Sequence, residues 1–356
     1  MSNAKTVFLT GVTGYVGGTY LQQLLNSPNP PSQITCLVRS PEKVKPLDAI
    51  PTVKAVVGDH AEYDLLTELA ETHDITIESA ESDNQKMMDA LLRGMEKRHE
   101  KGLETIFIHT SGTGELADDA RGEYASEVTY TDGEARPPHV LHINSLPDTA
   151  FHRKVDLSII EADKKGWCRS YIIFPGTIWG KGTGSLFGSG ISNPYSKQIP
   201  MAVQASLDRG RAGMIGKGLN YWVHVHIDDV GSHFALVYDA ALFDKGPHGE
   251  LGYYLCSAGE YQLLRATIAI GEVMQKHGWS KVAEPDSFAE AELDKYFSGF
   301  AKSPGGHKYY PGTNSRAESA QAKKLGWKPE HEDVDEFYQY CRDETERIGA
   351  KGAPFW

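Results

Sequence analysis

The segment TGVTGYVGG, residues 10–18, places glycines at positions 11, 14, 17 and 18 directly behind the apolar run TVFL. Gly11, Gly14 and Gly17 fit G-x-x-G-x-x-G, which is wider in its first gap than the dinucleotide-binding G-x-G-x-x-G. The chemistry such a turn serves is anion binding. The first glycine permits a tight turn after a strand, the second lets backbone approach a diphosphate, and the third brings the next helix close to the sheet. Free N–H groups at the helix N-terminus, with the helix dipole behind them, then hold phosphate. Thr13, Tyr15 and Val16, interleaved with the glycines, are assigned to the same contact surface. The second apolar run ends in LVRSPEK. An acid at that point binds ribose hydroxyls, whereas an arginine suits a 2′-phosphate. This chain offers Arg39 and Ser40, with Lys43 close behind, so NADP(H) is expected ahead of NAD(H). Asp59, in VVGDH, is expected either to accept from the adenine amine or to cap its own loop.

Positioning these groups requires strands and helices in alternation, and the first half of the chain has that texture. Strands are expected at 6–10, 33–39, 53–59, 74–79, 104–112 and 170–180. A helix opens on the glycine turn, with Val16, Tyr20 and Leu24 on one face, and a long one covers 84–102. Repeated strand–helix–strand units mean parallel strands joined by right-handed crossovers. The strands are continuous apolar runs, as in sheets covered on both faces. The fold class expected is α/β, a Rossmann-like doubly wound parallel sheet over residues 1–180. A smaller, irregular C-terminal substrate-binding region, 181–356, is intertwined with it. That region opens on GKGTGSLFGSGISNPYSKQIP, a loop or lid rich in glycine, serine and proline.

The 356 residues carry a formal charge of −12. An acidic surface repels nucleic acid and anionic membrane, so neither is an expected partner. A small-molecule substrate is expected, and a homodimer is allowed for. The four cysteines are widely spaced, with no CxxC pair, which reads as free thiols in a reducing compartment. The start MSNAKTVFL lacks a signal-peptide pattern and no long apolar run occurs, so a cytoplasmic protein is expected. No G-x-S-x-G occurs, which leaves a serine hydrolase unsupported. Asp228 and Asp229 are expected to cap a helix. His224 and His226 alternate along a strand, but with no third ligand near them in sequence no metal is expected.

TGVTGYVGG, VVGD after the third strand, HTSG after the fifth and FPGTIWG after the sixth together resemble the extended short-chain dehydrogenase/reductase superfamily, including its NAD(P)-dependent epimerase/dehydratase family. The similarity spans roughly residues 5–260 and is closest to the atypical, fungal-type, nitrogen-repression-regulator-like branch. The resemblance implies that Thr110 and Ser111 meet the substrate, with Ser111 hydrogen-bonding its oxygen. It also implies that Pro175, Gly176 and Thr177 line the nicotinamide pocket, that Ala80 contacts the cofactor, and that Tyr221, Trp222 and His224 border the substrate.

The family's Tyr-x-x-x-Lys pair is missing. Tyr124 is followed four residues later by Val128, and Tyr130 by Glu134. Matching DLSIIEA to the family's acidic-aliphatic stretch puts Asp148 in the tyrosine slot and His152 in the lysine slot; a shift of one residue gives Thr149 and Arg153. Asp148 and His152 share a face if one helix includes both, and a carboxylate there would orient the imidazole as a general acid. Three functions remain open: an NADPH-dependent reductase of a C=O, C=N or activated C=C group, a non-catalytic NADP-binding sensor, and an isomerase or cyclase.

Overall fold

A computed structural model of the chain describes residues 5–302 and 306–352. In chain order its main strands are β1 (Thr6–Leu9), β2 (Gln33–Val38), β3 (Val53–Val57), β4 (Ile75–Glu78), β5 (Ile106–Thr110), β6 (Arg169–Pro175), β7 (Thr177–Trp179), β8 (Tyr221–His226), β9 (Tyr253–Cys256) and β10 (Gly259–Gln262). The main helices are α1 (Tyr15–Asn26), α2 (Tyr63–Thr72), α3 (Gln85–Glu100), α4 (Arg153–Lys164), α5 (Gln198–Arg209), α6 (Ile227–Leu242), α7 (Leu263–Lys276) and α8 (Val334–Lys351).

Seven strands form one parallel sheet in the order β9-β6-β5-β4-β1-β2-β3. The chain runs outward from β1 through β2 and β3, then resumes at β4 on the other side of β1. This places the topological switch point between β1 and β4, where such sheets bind ligands beyond their strand ends. One face packs against α1 and α6 through Tyr20, Leu21, Leu24, Phe234 and Val237. The other packs against α2, α3 and α4 through Leu66, Met88, Leu91, Val155 and Ile159. Each such buried side chain contributes about 1.5–3 kcal/mol of transfer free energy.

Three sequence expectations change. The run 170–180 breaks at Gly176, because a Cβ there would lie 2.8 Å from the Val223 carbonyl oxygen. Its second part, β7, leaves the main sheet and joins β8 and β10 in a three-stranded sheet. The seventh strand of the main sheet, β9, comes from the C-terminal half, at a stretch where the sequence signalled no strand. The N-cap of α6 is His226, whose Nδ1 accepts from the Asp228 amide at 3.3 Å, rather than either aspartate. Asp229 instead turns away and accepts from the Glu330 and His331 amides at 2.7 and 3.0 Å.

All four cysteines are buried and free. No helix among the described residues is long and apolar enough to cross a membrane.

Candidate active site

The glycine turn has the geometry its sequence demands. Gly11 has φ +75°, and a Cβ on it would sit 2.6 Å from the Ser79 carbonyl oxygen. A Cβ on Gly17 would sit 2.2 Å from the Gly11 carbonyl oxygen, so α1 can approach the turn only without side chains. The fourth glycine has a different reason: a Cβ on Gly18 would strike Ser192 at 2.5 Å. The expected lid is in fact folded onto the turn. Ser192 Oγ donates to the Val12 carbonyl at 2.7 Å, and the Asn193 amide donates to that of Thr13 at 2.9 Å. Gly14 caps α1 with no side-chain hydrogen bond and no acid follows in the first turn, which leaves an uncluttered anion cradle. These residues fit a dinucleotide diphosphate. Arg39 is exposed just past β2 and forms no ion pair among the described residues, and Lys43 Nζ donates to the Gly190 carbonyl at 2.5 Å. Asp59 Oδ1 accepts from the Ala61 amide at 3.0 Å, which is the loop-cap alternative.

From this cradle a cavity of about 480 Å³ runs along the strand ends. Gly14, Tyr15, Val16, Ala80, Ser111, His152, Pro175, Gly176 and Trp222 line it, together with Ser82, Thr113, Ile178, Tyr195, Gln198 and Tyr310, which the sequence did not single out. Tyr15 is fixed by donating its hydroxyl toward the Trp179 and Gly180 carbonyls at 3.0 and 2.7 Å.

Several expected contacts lie outside the cavity. Thr110 is turned onto the α1 face, where its Oγ1 donates to Tyr20 Oη at 3.2 Å. Thr177 is buried with its Oγ1 3.0 Å from Tyr261 Oη. Tyr221 lies under the Arg316 guanidinium, 5.6 Å from ring centroid to Cζ. His224 is a core residue: it stacks on Phe337 and its Nδ1 accepts from Trp179 Nε1 at 3.2 Å. Burial pushes its pKa down to about 4, so it stays neutral. Among the described residues Trp222 is the β8 candidate that meets the cavity; Tyr221 leaves the strand on the opposite face, and His224, on the Trp222 face, lies farther along the strand against Phe337.

Asp148 is also displaced. The helix carrying His152 begins at Arg153, so Asp148 lies in an exposed turn before it and cannot share a helix face with the histidine. Thr149 is exposed in the same turn, and Arg153 is buried, donating to Glu115 at 3.1 Å and to Tyr253 Oη at 2.8 Å. His152 stands just ahead of α4 in the left-handed region, φ +69°, a conformation that costs free energy for a non-glycine residue and clusters at functional sites. Its carboxylate partner is Asp83, with Nδ1 2.7 Å from Oδ1, and Ser82 Oγ is 3.2 Å from the same nitrogen. Nε2 points over Gly112, since a Cβ on that glycine would lie 3.7 Å from it. Asp83, which lies before α3 and far from His152 in sequence, was invisible to local spacing.

Behind Ser111 lies a buried ionic chain. Glu78 and His109 are register partners on β4 and β5, and Glu78 Oε2 is 2.8 Å from His109 Nδ1. His109 Nε2 is 3.3 Å from Asp156 Oδ1, and Ser111 Oγ donates to Asp156 Oδ2 at 2.8 Å. Burial alone would depress the His109 pKa, but Asp156 and Glu78 outweigh it and raise it to about 9. Burial and the Asp156 charge push the Glu115 pKa well above the usual carboxylate range, whereas hydrogen bonds from His109 and Ser111 hold that of Asp156 down against its own burial. Glu78 Oε1 also accepts from the Ala80 and Glu81 amides at 2.7 and 2.9 Å, tying this cluster to the cavity wall. Because Asp156 takes the Ser111 hydroxyl hydrogen, Ser111 offers the cavity a lone pair, not the donor hydrogen the sequence led one to expect.

This arrangement defines an α/β protein with a dinucleotide-binding turn and a carboxylate-paired histidine at the strand ends. Residues 11–136 match the NAD(P)H-binding family model. The fold is shared with solved nucleotide-sugar dehydratases and epimerases. A Streptomyces venezuelae dTDP-glucose 4,6-dehydratase, DesIV, superposes with TM-score 0.63 at 18% identity, covering 97% of this chain and 98% of that one. The Thermotoga maritima UDP-glucose 4-epimerase gives TM-score 0.59 at 13% identity, over 98% of this chain and all of its own (100%). In sequence the chain is 28% identical to the oxidase ucsJ of Acremonium sp, across 97% of this chain and 99% of that protein. It is 27% identical to YLL056C of Saccharomyces cerevisiae, across 75% of this chain and 80% of that protein.

Proposed function

We propose that the chain is an NADP(H)-dependent oxidoreductase acting on a C=O, C=N or activated C=C group of a small organic molecule, with His152 in place of the missing tyrosine. The observation that carries this proposal is the pairing of His152 with Asp83 on the wall of the cavity that begins at the glycine turn. Asp83 accepts the Nδ1 hydrogen, fixing the ring with Nε2 toward the cavity. Protonated, Nε2 donates to the substrate oxygen or nitrogen and gives up its proton as the hydride reaches carbon; in the reverse direction neutral Nε2 accepts that proton. The nicotinamide, when bound, supplies or takes the hydride. Ser111, with its own hydrogen on Asp156, has none to give to a carbonyl oxygen. This divides the labour, since of the two residues only His152 can protonate a carbonyl. Arg39 selects the 2′-phosphate. A neighbouring cavity of about 530 Å³, which shares Tyr310 with the first and is lined by Phe151, Leu116 and Tyr130, gives room for the remote part of a bulky substrate.

The test is NADPH consumption with a panel of aldehydes, ketones, imines and enones. Turnover that falls by about 10²–10⁴ in His152→Ala, with NADPH affinity kept, supports the assignment. Unchanged turnover in that variant removes His152 from the chemistry. Cofactor binding with no consumption on any substrate favours a sensor, and product formed without net cofactor oxidation favours an isomerase.

A further inference from the structure

A second cluster of chemistry-bearing residues lies apart from the cavity, on the far side of Trp179. His226 at the end of β8, Asp228 in the first turn of α6, and His331 in the segment before α8 each bring one ligand atom within 4.8 Å of the other two. His226 and Asp228 are close in sequence, and the fold supplies the third ligand, His331, from the C-terminal segment.

We infer that His226, Asp228 and His331 form a binding site for a divalent transition-metal cation of the zinc class. His226 Nδ1 and Asp228 Oδ2 are 3.6 Å apart. Two ligands held about 2.0–2.2 Å from one tetrahedral ion are separated by only slightly less. An ion there would take the Nδ1 lone pair in place of the long 3.3 Å hydrogen bond from the Asp228 amide. The two imidazole rings face each other with centroids 4.0 Å apart. On the outer side of His331, Glu336 Oε2 sits 2.9 Å from Nδ1, which leaves Nε2 for a metal. A carboxylate on the second nitrogen is the partner that orients ligating histidines and raises their basicity.

Both histidines are also pre-positioned by groups that take no part in binding. His226 is paired in register with Trp179 on β7, and the indole packs edge-on against it at 4.6 Å. Asp229 grips the backbone of Glu330 and His331 and so fixes the loop that delivers the second imidazole. Two imidazoles and one carboxylate with an open position suit Zn²⁺, Co²⁺, Ni²⁺ or Cu²⁺, and not the all-oxygen shells of Ca²⁺ or Mg²⁺. The ion would clamp the segment before α8 to the β7–β8 ribbon. That ribbon's Trp179 and Gly180 carbonyls hold Tyr15, so the clamp would steady one wall of the cofactor cavity.

The experiment uses untagged full-length protein, treated with chelator and then titrated with Co²⁺. Saturable visible absorption of low-symmetry cobalt at one ion per chain, displaced by Zn²⁺, is expected, together with a Zn²⁺-dependent rise in Tm. His331→Gln should weaken Co²⁺ binding by at least about tenfold, and Glu336→Gln by about tenfold while keeping the site, as loss of an outer partner does. Both variants should match the wild type in Tm under chelator, which shows that they are folded. Absence of saturable Co²⁺ and Zn²⁺ binding, or binding that His331→Gln leaves unchanged, overturns the inference.

Discussion

Arg39 and His152 illustrate how differently single residues declare themselves. Arg39 follows the second strand, where sheets of this kind bind the adenosine ribose, so its position alone suggests a partner, and its guanidinium is exposed with no ion pair among the described residues. Arg39→Glu should therefore lower kcat/KM for NADPH by about 10–100-fold, the worth of a charge-assisted hydrogen bond, and change that for NADH far less. Steady-state kinetics with both cofactors checks this. A variant that loses both equally would show that Arg39 supports the fold, not the choice of cofactor. His152 was visible as a residue type at an aligned slot, but its working partner was not. Asp148 is close in sequence and remote in function, because α4 starts too late to bring the two together. Asp83 is remote in sequence and 2.7 Å away.

At the scale of elements, the β1–α1 unit follows from local rules and the loop above it does not. Close approach of α1 to the turn needs glycine at 17, where a Cβ would meet a backbone oxygen that no side-chain rotation can relieve. Gly17→Ala should cost about 1–3 kcal/mol of stability through overpacking, read as a lower urea midpoint. NADPH affinity, read by calorimetry, should fall with it because the amide cradle is displaced. Unaltered affinity would mean that the phosphates lie elsewhere. The 181–197 segment looks like a free lid by composition. Instead it buries Leu186, Phe187 and Ile191 and hydrogen-bonds to the turn, since apolar residues among its glycines find a surface there. The strand at β9 escaped notice because its four residues, YYLC, are too short a run to stand out; its parallel pairing with β6 makes it a strand.

Across the whole molecule, the Glu78–His109–Asp156 chain links the sheet, α4 and the cavity wall. Buried charges of this kind are held by their partners, and removing one partner typically costs about 3–5 kcal/mol. They also tie stability to pH. The folded His109 pKa, about 9, lies above its ordinary value of 6.5, so the folded state binds the proton more tightly than the unfolded chain. The resulting stabilisation, about 3 kcal/mol, is complete below pH 6.5 and is lost as pH rises toward 9. Urea unfolding across that range should show falling stability, and His109→Gln should flatten the profile. A wild-type curve that stays level or rises there would place the proton elsewhere.

The glycine turn, the alternating parallel sheet, the NAD(P) class of cofactor they imply and the lack of a Tyr-x-x-x-Lys pair could all be read from the chain alone. These are local properties, set by backbone sterics and by hydrophobic periodicity within one element. Only the tertiary structure decided that Asp83 orients His152, that Asp156 takes the Ser111 hydrogen, that His224 is a core residue, and that His331 reaches His226. Each of these depends on which face of an element a side chain leaves and on what a distant segment brings to meet it. Side-chain contacts of a few ångströms between residues far apart in the chain are fixed by packing, to which local spacing is blind.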